Sequence, residues 1–201
     1  MILVVCALLP ELEYTRRREG VEIVAAGVGP VEAAIATTAA LARRPYEAVV
    51  NAGIAGLFRG CGRVGEALLV TDETLADFGL EGAGRLILPG GATLVEHQSA
   101  DAVLLERCSA LPLRRGRGLT VSTVTTTDAT AQRLRDRYSA DVESMEGFSV
   151  LRAAAVAQVP ALEVRGISNY VGDRQQAEWD FAAGARAAAA ALDAVLERLV
   201  A

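Results

Sequence analysis

Acid–base chemistry in this chain has to be carried by carboxylates and amides. All 20 of its basic residues are arginines, and lysine is absent. A phosphate-loop lysine and a Schiff-base lysine are therefore excluded. His97 is the only histidine, and no serine sits in a Gly-x-Ser-x-Gly setting, which argues against a Ser-His-Asp triad and a histidine-rich zinc site. Cys6, Cys61 and Cys108 are scattered and odd in number, so neither a disulfide framework nor a paired-cysteine metal site is expected. Cys6 lies in an apolar run and reads as inert core.

Five short segments hold more glycine and polar residues than packing requires. They are Ala7-Leu8-Leu9-Pro10-Glu11, Ala26-Gly27-Val28-Gly29-Pro30, Asn51-Ala52-Gly53-Ile54-Ala55-Gly56, Val142-Glu143-Ser144-Met145-Glu146-Gly147 and Arg165-Gly166-Ile167-Ser168-Asn169. Each alone has an ordinary explanation. Glu11 and Glu146 could be exposed acids at helix starts, favoured by the helix dipole. Gly27-Val28-Gly29 lacks the third glycine of a dinucleotide turn, and Asn169 could be a plain turn residue.

The elements that must position these segments alternate. Apolar, strand-like runs cover 2–6, 21–26, 48–52, 67–71, 118–124 and 162–168. Helical patterns cover 11–18, 30–42, 100–109, 129–137, 147–158 and 181–200. Proline after Gly29 suits a first helical position. The last helix carries Leu192, Val195, Leu196 and Leu199 at helical spacing, and its alanine run favours helix. This alternation predicts a three-layer α/β fold around a parallel or mixed sheet. Residues 72–96 are expected to form a loop or a small excursion from the sheet. With 201 residues and no linker or repeat, residues 1–201 are expected to form a single domain. No apolar run reaches membrane-spanning length, and the first residues read as a strand rather than a signal peptide, so a cytoplasmic setting is expected. A net charge of −5 argues against nucleic acid as a partner.

Taken together and in this order, the five segments resemble the purine nucleoside phosphorylase and nucleosidase superfamily, over nearly the whole chain. Ser144-Met145-Glu146-Gly147 and Ile167-Ser168-Asn169 are the most specific pieces. The continuation Asn169-Tyr170-Val171-Gly172-Asp173-Arg174, with Trp179 beyond it, is similar to the futalosine hydrolases in particular. The resemblance implies a mixed, barrel-like central sheet flanked by helices. It implies hydrolysis of a purine N-glycosidic bond, releasing hypoxanthine within menaquinone biosynthesis, without cofactor or metal. The expected partners are a small-molecule nucleoside and further copies of the chain, in a homo-oligomer.

Site roles follow from the same resemblance. Glu11 would activate water, and Glu146 would take the ribose hydroxyls. Met145 would pack on the sugar, Ser168 and Asn169 would face the purine, and Trp179 would cover it. Gly53 and Arg174 would also bind substrate, with Arg174 or Arg59 suited to a carboxylate on the substrate's 5′ side. The catalytic pair is Glu11 with Asn169. Adenine-specific members carry Asp where Asn169 stands. Asn offers N–H donors to the acceptors O6 and N7, which favours a 6-oxopurine. The first loop has Glu11 where phosphorylases use arginine, which favours water over phosphate. The alternatives are an adenine nucleosidase acting on methylthioadenosine or S-adenosylhomocysteine, a phosphorylase, and a binding module without activity.

Overall fold

The computed structural model describes residues 1–80, 88–173 and 179–200. The first strand, β1 (Ile2–Cys6), is an unbroken apolar run with every residue buried, as a strand covered on both faces requires. It pairs in parallel with β2 (Val21–Ala25) and β3 (Ala48–Leu57). Between them runs helix α1 (Pro30–Arg43). It opens on Gly29, whose φ of 102° suits glycine.

The rest of the sheet closes on itself. β3 is followed by β4 (Ala67–Leu75), β5 (His97–Ser99), β6 (Arg114–Thr120), β7 (Val142–Ser144) and β8 (Ala161–Tyr170). In space the order is β2-β1-β3-β7-β6-β4-β5, and β8 pairs with both β3 and β4. Strands β3, β7, β6, β4 and β8 thus make a ring, which is the barrel-like part of the sheet. Parallel pairs (β3·β8, β4·β6) and antiparallel pairs (β3·β7, β4·β8) both occur, so the sheet is mixed. Ala55, Leu57, Leu68, Val70, Val142 and Ile167, contributed by four of these strands, form one apolar cluster of the ring.

Helices α2 (Ala102–Arg107), α3 (Asp128–Tyr138), α4 (Gly147–Val156) and α5 (Phe181–Val200) complete the fold. α1 and α4 cover one side, packing Ala33, Ala40, Val150 and Leu151 on Leu3, Val5 and Val49. α5 covers another, with Leu192, Val195 and Leu196 against Val4, Val50 and Val164.

Elements with long apolar runs match the sequence reading, and short ones depart from it. The expected helix over 11–18 is a 3-10 turn, Leu9–Leu12. Beyond Leu12 the segment offers charged residues instead of a core-facing stripe. The strand expected at 118–124 lies instead at Arg114–Thr120, because Arg114 and Arg115 keep their side chains outside while Gly116 is buried. β5 and β7 have three residues each, too few for a periodic signal. β4 runs on to Leu75, into the stretch expected to be loop.

The approach of α5 to the sheet sets a steric limit. A Cβ placed on Gly166 would collide with the Gly184 carbonyl and the Ala188 backbone amide. Gly166→Ala is expected to lower stability by about 1–3 kcal/mol, as overpacking does. Urea unfolding should show a lower midpoint at unchanged slope, and an unaltered midpoint would disprove the contact.

Candidate active site

A cavity of about 260 Å3 opens where β3, β7 and β8 end. Its wall brings together Glu11, Ser144, Met145, Glu146, Ser168, Asn169 and Trp179, segments distant in the chain. Ligand sites of α/β proteins lie at such strand ends.

The first carboxylate is held by the 3-10 turn. Glu11 is buried, not an exposed helix-start acid. Its Oε2 accepts from the Leu8 amide at 2.9 Å and its Oε1 from the Ile54 amide at 3.1 Å. Burial raises its pKa, partly countered by those two amides and by Arg165. Glu11 is thus an anchored carboxylate with raised basicity, as a general base needs.

The second carboxylate, Glu146, sits just before α4 and is also buried. Its Oε1 accepts from the Gly29 amide at 3.0 Å, so the positive-φ turn before α1 orients it. Its Oε2 lies 3.6 Å from Nη1 of Arg165. Met145, next to it, lines the cavity and packs on the cluster around Phe58 and Leu119.

Asn169 owes its position to a bulge. Along β3·β8, Ala55 faces Ile167 but Gly56 faces Asn169, leaving Ser168 as the extra residue. The Ser168 hydroxyl donates to Asn169 Oδ1 at 2.9 Å. Asn169 Nδ2 donates to the Tyr170 carbonyl at 2.9 Å. One of its two N–H groups is therefore used, and one remains for a ligand, where the sequence reading expected two. Trp179 stands half-exposed at the cavity with its ring edge-on to Phe181, centroids 6.0 Å apart.

Other expectations fall differently. Gly53 is absent from the wall, which Ile54, Ala55 and Gly56 supply. It lies behind, where a Cβ would come within 3.0 Å of both Arg165 Nη1 and Glu11 Oε1. Its missing side chain lets those two charges approach, so Gly53 supports the floor of the cavity from behind. Arg59 stacks over Tyr170 at 5.3 Å and is not on the wall. Arg174 lies outside the described residues. Burial, then the charge of Glu11, pushes the Cys6 thiol up to about 12, so Cys6 is unreactive.

The sequence reading missed a charged layer beneath the cavity. Arg165 is 1% exposed and Glu163 and Glu73 are 0% exposed. Arg165 Nε donates to Glu163 at 2.7 Å, Nη1 to the Ile54 carbonyl at 3.3 Å, and Nη2 to Asn51 Oδ1. Burial disfavours the guanidinium charge, but Glu163, Glu146 and Glu11 outweigh it and hold the proton more firmly than usual. The signal was available: Glu163 and Arg165 alternate with apolar residues in a strand, which places both charges on one face.

Glu73 and Glu163 interact directly. Oε1 of Glu73 and Oε2 of Glu163 have no donor among the described residues. Burial and then the charge of Glu163 raise the pKa of Glu73 well above the ordinary range. A proton kept on Glu73 supplies the missing donor, while Thr120 donates to its other oxygen at 2.7 Å.

The comparisons with known proteins agree with this geometry. A profile described as the phosphorylase superfamily matches residues 13–201. A curated futalosine hydrolase of Streptomyces coelicolor is 41% identical over 178 residues, 85% of this chain and 76% of its own. The chain belongs to the futalosine hydrolases of the phosphorylase superfamily. The futalosine hydrolase of Thermus thermophilus is 37% identical, covering 76% of this chain and 71% of its own. Among solved structures, the native futalosine hydrolase of Helicobacter pylori superposes with a TM-score of 0.82 at 17% identity, over 98% of this chain and 97% of its own. A methylthioadenosine/S-adenosylhomocysteine nucleosidase of the same organism gives 0.85 at 17% identity, over the same shares. At that identity the likeness shows the nucleosidase fold alone.

The proton on Glu73 has a measurable sign. A carboxyl whose folded pKa is raised adds stability that is full below the unfolded pKa and is lost as pH rises towards the folded one. Glu73→Gln keeps a donor to Glu163 without needing a proton. Its stability relative to the wild type should grow from pH 5 to pH 8, by at most about 1.4 kcal/mol per pH unit for one proton. Parallel pH–stability curves for the two proteins would show that Glu73 is ionised.

Proposed function

We propose that this chain hydrolyses the N-glycosidic bond of futalosine, releasing hypoxanthine and dehypoxanthinyl futalosine. The observation that carries the reading is one cavity holding two anchored, buried carboxylates, Glu11 and Glu146, together with an amide donor, Asn169. Curated relatives named futalosine hydrolase at 37–41% identity support it. Structural neighbours among the methylthioadenosine/S-adenosylhomocysteine nucleosidases, at 16–20% identity, share the fold only.

The chemistry follows from the positions. Breaking a ribosyl C–N bond builds positive charge on the sugar, as in glycoside hydrolysis. Glu146 accepts the ribose hydroxyls and its negative charge stabilises the cationic sugar. A water held by Glu11 adds to C1′ and gives its proton to the carboxylate, while the C1′–N9 electron pair leaves with the purine. The remaining N–H of Asn169 meets the acceptor edge of the base as that charge arrives. Trp179 and Phe181 also line the cavity. A carboxylate at Glu11 repels phosphate, which supports water as the acceptor.

The reading also includes a homo-oligomer, a place in menaquinone biosynthesis and a cytoplasmic setting. Exposed apolar side chains, Leu8, Leu9, Val28, Val31 and Ile35, at and beside the first loop and α1, support association between copies. No helix of the described residues is long and apolar enough to cross a membrane.

Glu11→Gln should fold and bind nucleoside but lose about 10²–10⁴ in kcat. Near wild-type turnover would remove Glu11 from the mechanism. Purine release from futalosine should be the same with and without phosphate. Formation of a sugar 1-phosphate would identify a phosphorylase instead. Asn169→Asp should lower kcat/KM on the 6-oxopurine at least tenfold, because a carboxylate meets an acceptor edge. An unchanged ratio of 6-oxo to 6-amino substrates would take base reading away from Asn169.

A further inference from the structure

Beneath the cavity lies a buried carboxylate that the mechanism leaves unused. Glu163 is fully buried and is not among the described residues of the cavity wall. Placing another carboxylate close to Glu11 and Glu146 is costly, because like charges repel strongly where water is excluded. The charge of Arg165 does not by itself require it. Two anions, Glu146 and Glu11, already act on that one guanidinium. A neutral acceptor would be enough to satisfy its Nε–H.

The carboxylates around Arg165 are not equivalent partners. Nε donates to Glu163 Oε1 at 2.7 Å. Nη1 stands 3.6 Å from Glu146 Oε2 and donates instead to the Ile54 carbonyl. Nη2 donates to Asn51. Asn51 and Glu163 face each other across β3·β8, two residues before the facing pair Gly53 and Arg165. The guanidinium is therefore drawn back along both strands, away from the ends where the cavity opens. Gly147, the residue after Glu146, leaves room for this layer. A Cβ there would collide with carboxylate oxygens of both Glu73 and Glu163.

We infer that Glu163 is a positioning residue for the hydrolysis: it holds and neutralises Arg165 from below, and so leaves Glu11 and Glu146 their negative charge for the water and the cationic sugar. The inference rests on the proposed function. Counting charges shows what Glu163 does. Glu73 keeps a proton, so the layer holds one cation and one anion, and the two cavity carboxylates remain in surplus. Without the Glu163 charge, Arg165 has only Glu146 and Glu11 to answer it. Glu146 then stabilises the sugar cation less, a loss felt in the transition state more than in binding of neutral ribose. Glu11 becomes more acidic and a weaker base. The groups facing Glu11 are Arg165 of β8, Glu146 before α4 and the Cys6 thiol of β1, which stays protonated. The change reaches Glu11 through Arg165, which both Glu163 and Glu11 contact across the Gly53 gap and the strand face.

The test is the pH dependence of kcat and kcat/KM for purine release from futalosine, in wild type, Glu73→Gln and the double variant Glu73→Gln/Glu163→Gln. Replacing Glu73 first removes a proton whose loss would restore a negative charge to the layer. Glu73→Gln alone should keep the acid limb of the wild type. The double variant should move that limb down by about one pH unit or more. Its plateau kcat should fall at least tenfold, with KM changing less than threefold. Glu73→Gln/Glu163→Asp keeps the charge, so its acid limb should lie at the wild-type position even where kcat is reduced. A merely structural role for Glu163 would lower activity without moving the limb. An acid limb common to Glu73→Gln and the double glutamine variant would therefore overturn the inference. A limb already displaced in Glu73→Gln would also overturn it, by assigning the charge to Glu73, and so would a limb displaced in the aspartate variant. Neither of these two results needs the double glutamine variant to fold. A wild type that cleaves futalosine while these tests fail retains the proposed function and loses only this role. A wild type that releases no purine from futalosine loses both.

Discussion

A guanidinium sealed inside the sheet organises this protein. Arg165 lies within an ion pair or hydrogen bond of Glu163, Glu146, Asn51 and the Ile54 carbonyl. A buried charge of this kind is tolerated only when its donors are answered. The residues that answer them come from β3, β8 and the start of α4, so the same contacts that neutralise Arg165 align those elements. The site rests on this arrangement from below. Glu146 has one oxygen turned to Arg165 and the other to the turn before α1. Glu11 remains near enough for Arg165 to offset part of its burial. Asn51 also donates to the Val5 carbonyl at 3.0 Å, which links the buried cation to β1.

Much of this was legible in the sequence, for a physical reason. Strands covered on both faces are apolar runs, so β1 and the first half of β3 stood out, and α5 announced itself by its leucine spacing. Glu11, Met145, Glu146, Ser168, Asn169 and Trp179, which the fold brings to one cavity, stood out because they belong to segments at strand ends, where polarity is not needed for packing. What escaped were charges inside elements. Glu73, Glu163 and Arg165 lie within strands, and a strand pattern is read from its apolar positions. Gly53 gave no sign of its place behind the wall, because a glycine that makes room for a neighbour's charge looks the same in sequence as one that touches a ligand.

Glycine and bulge together shape the cavity. Gly53 lets Glu11 and Arg165 come together, and Gly29 turns its amide to Glu146. The extra residue at Ser168 presents the hydroxyl and the amide side by side, so Ser168 can fix which way Asn169 points. Rigid elements hold all of these groups, and preorganisation of this kind is what transition-state stabilisation by fixed dipoles requires.

The closing role of β8 has a consequence for how the chain is made. β3 and β4 are synthesised long before Ala161–Tyr170, the strand that must pair with both of them. Until β8 arrives, each presents a row of unpaired amides and carbonyls along an open edge, and such edges recruit strands from other chains. Closure joins residues far apart in sequence, which makes it slow compared with local folding. Between synthesis of β4 and arrival of β8 the nascent chain therefore carries open sheet edges that the finished ring removes.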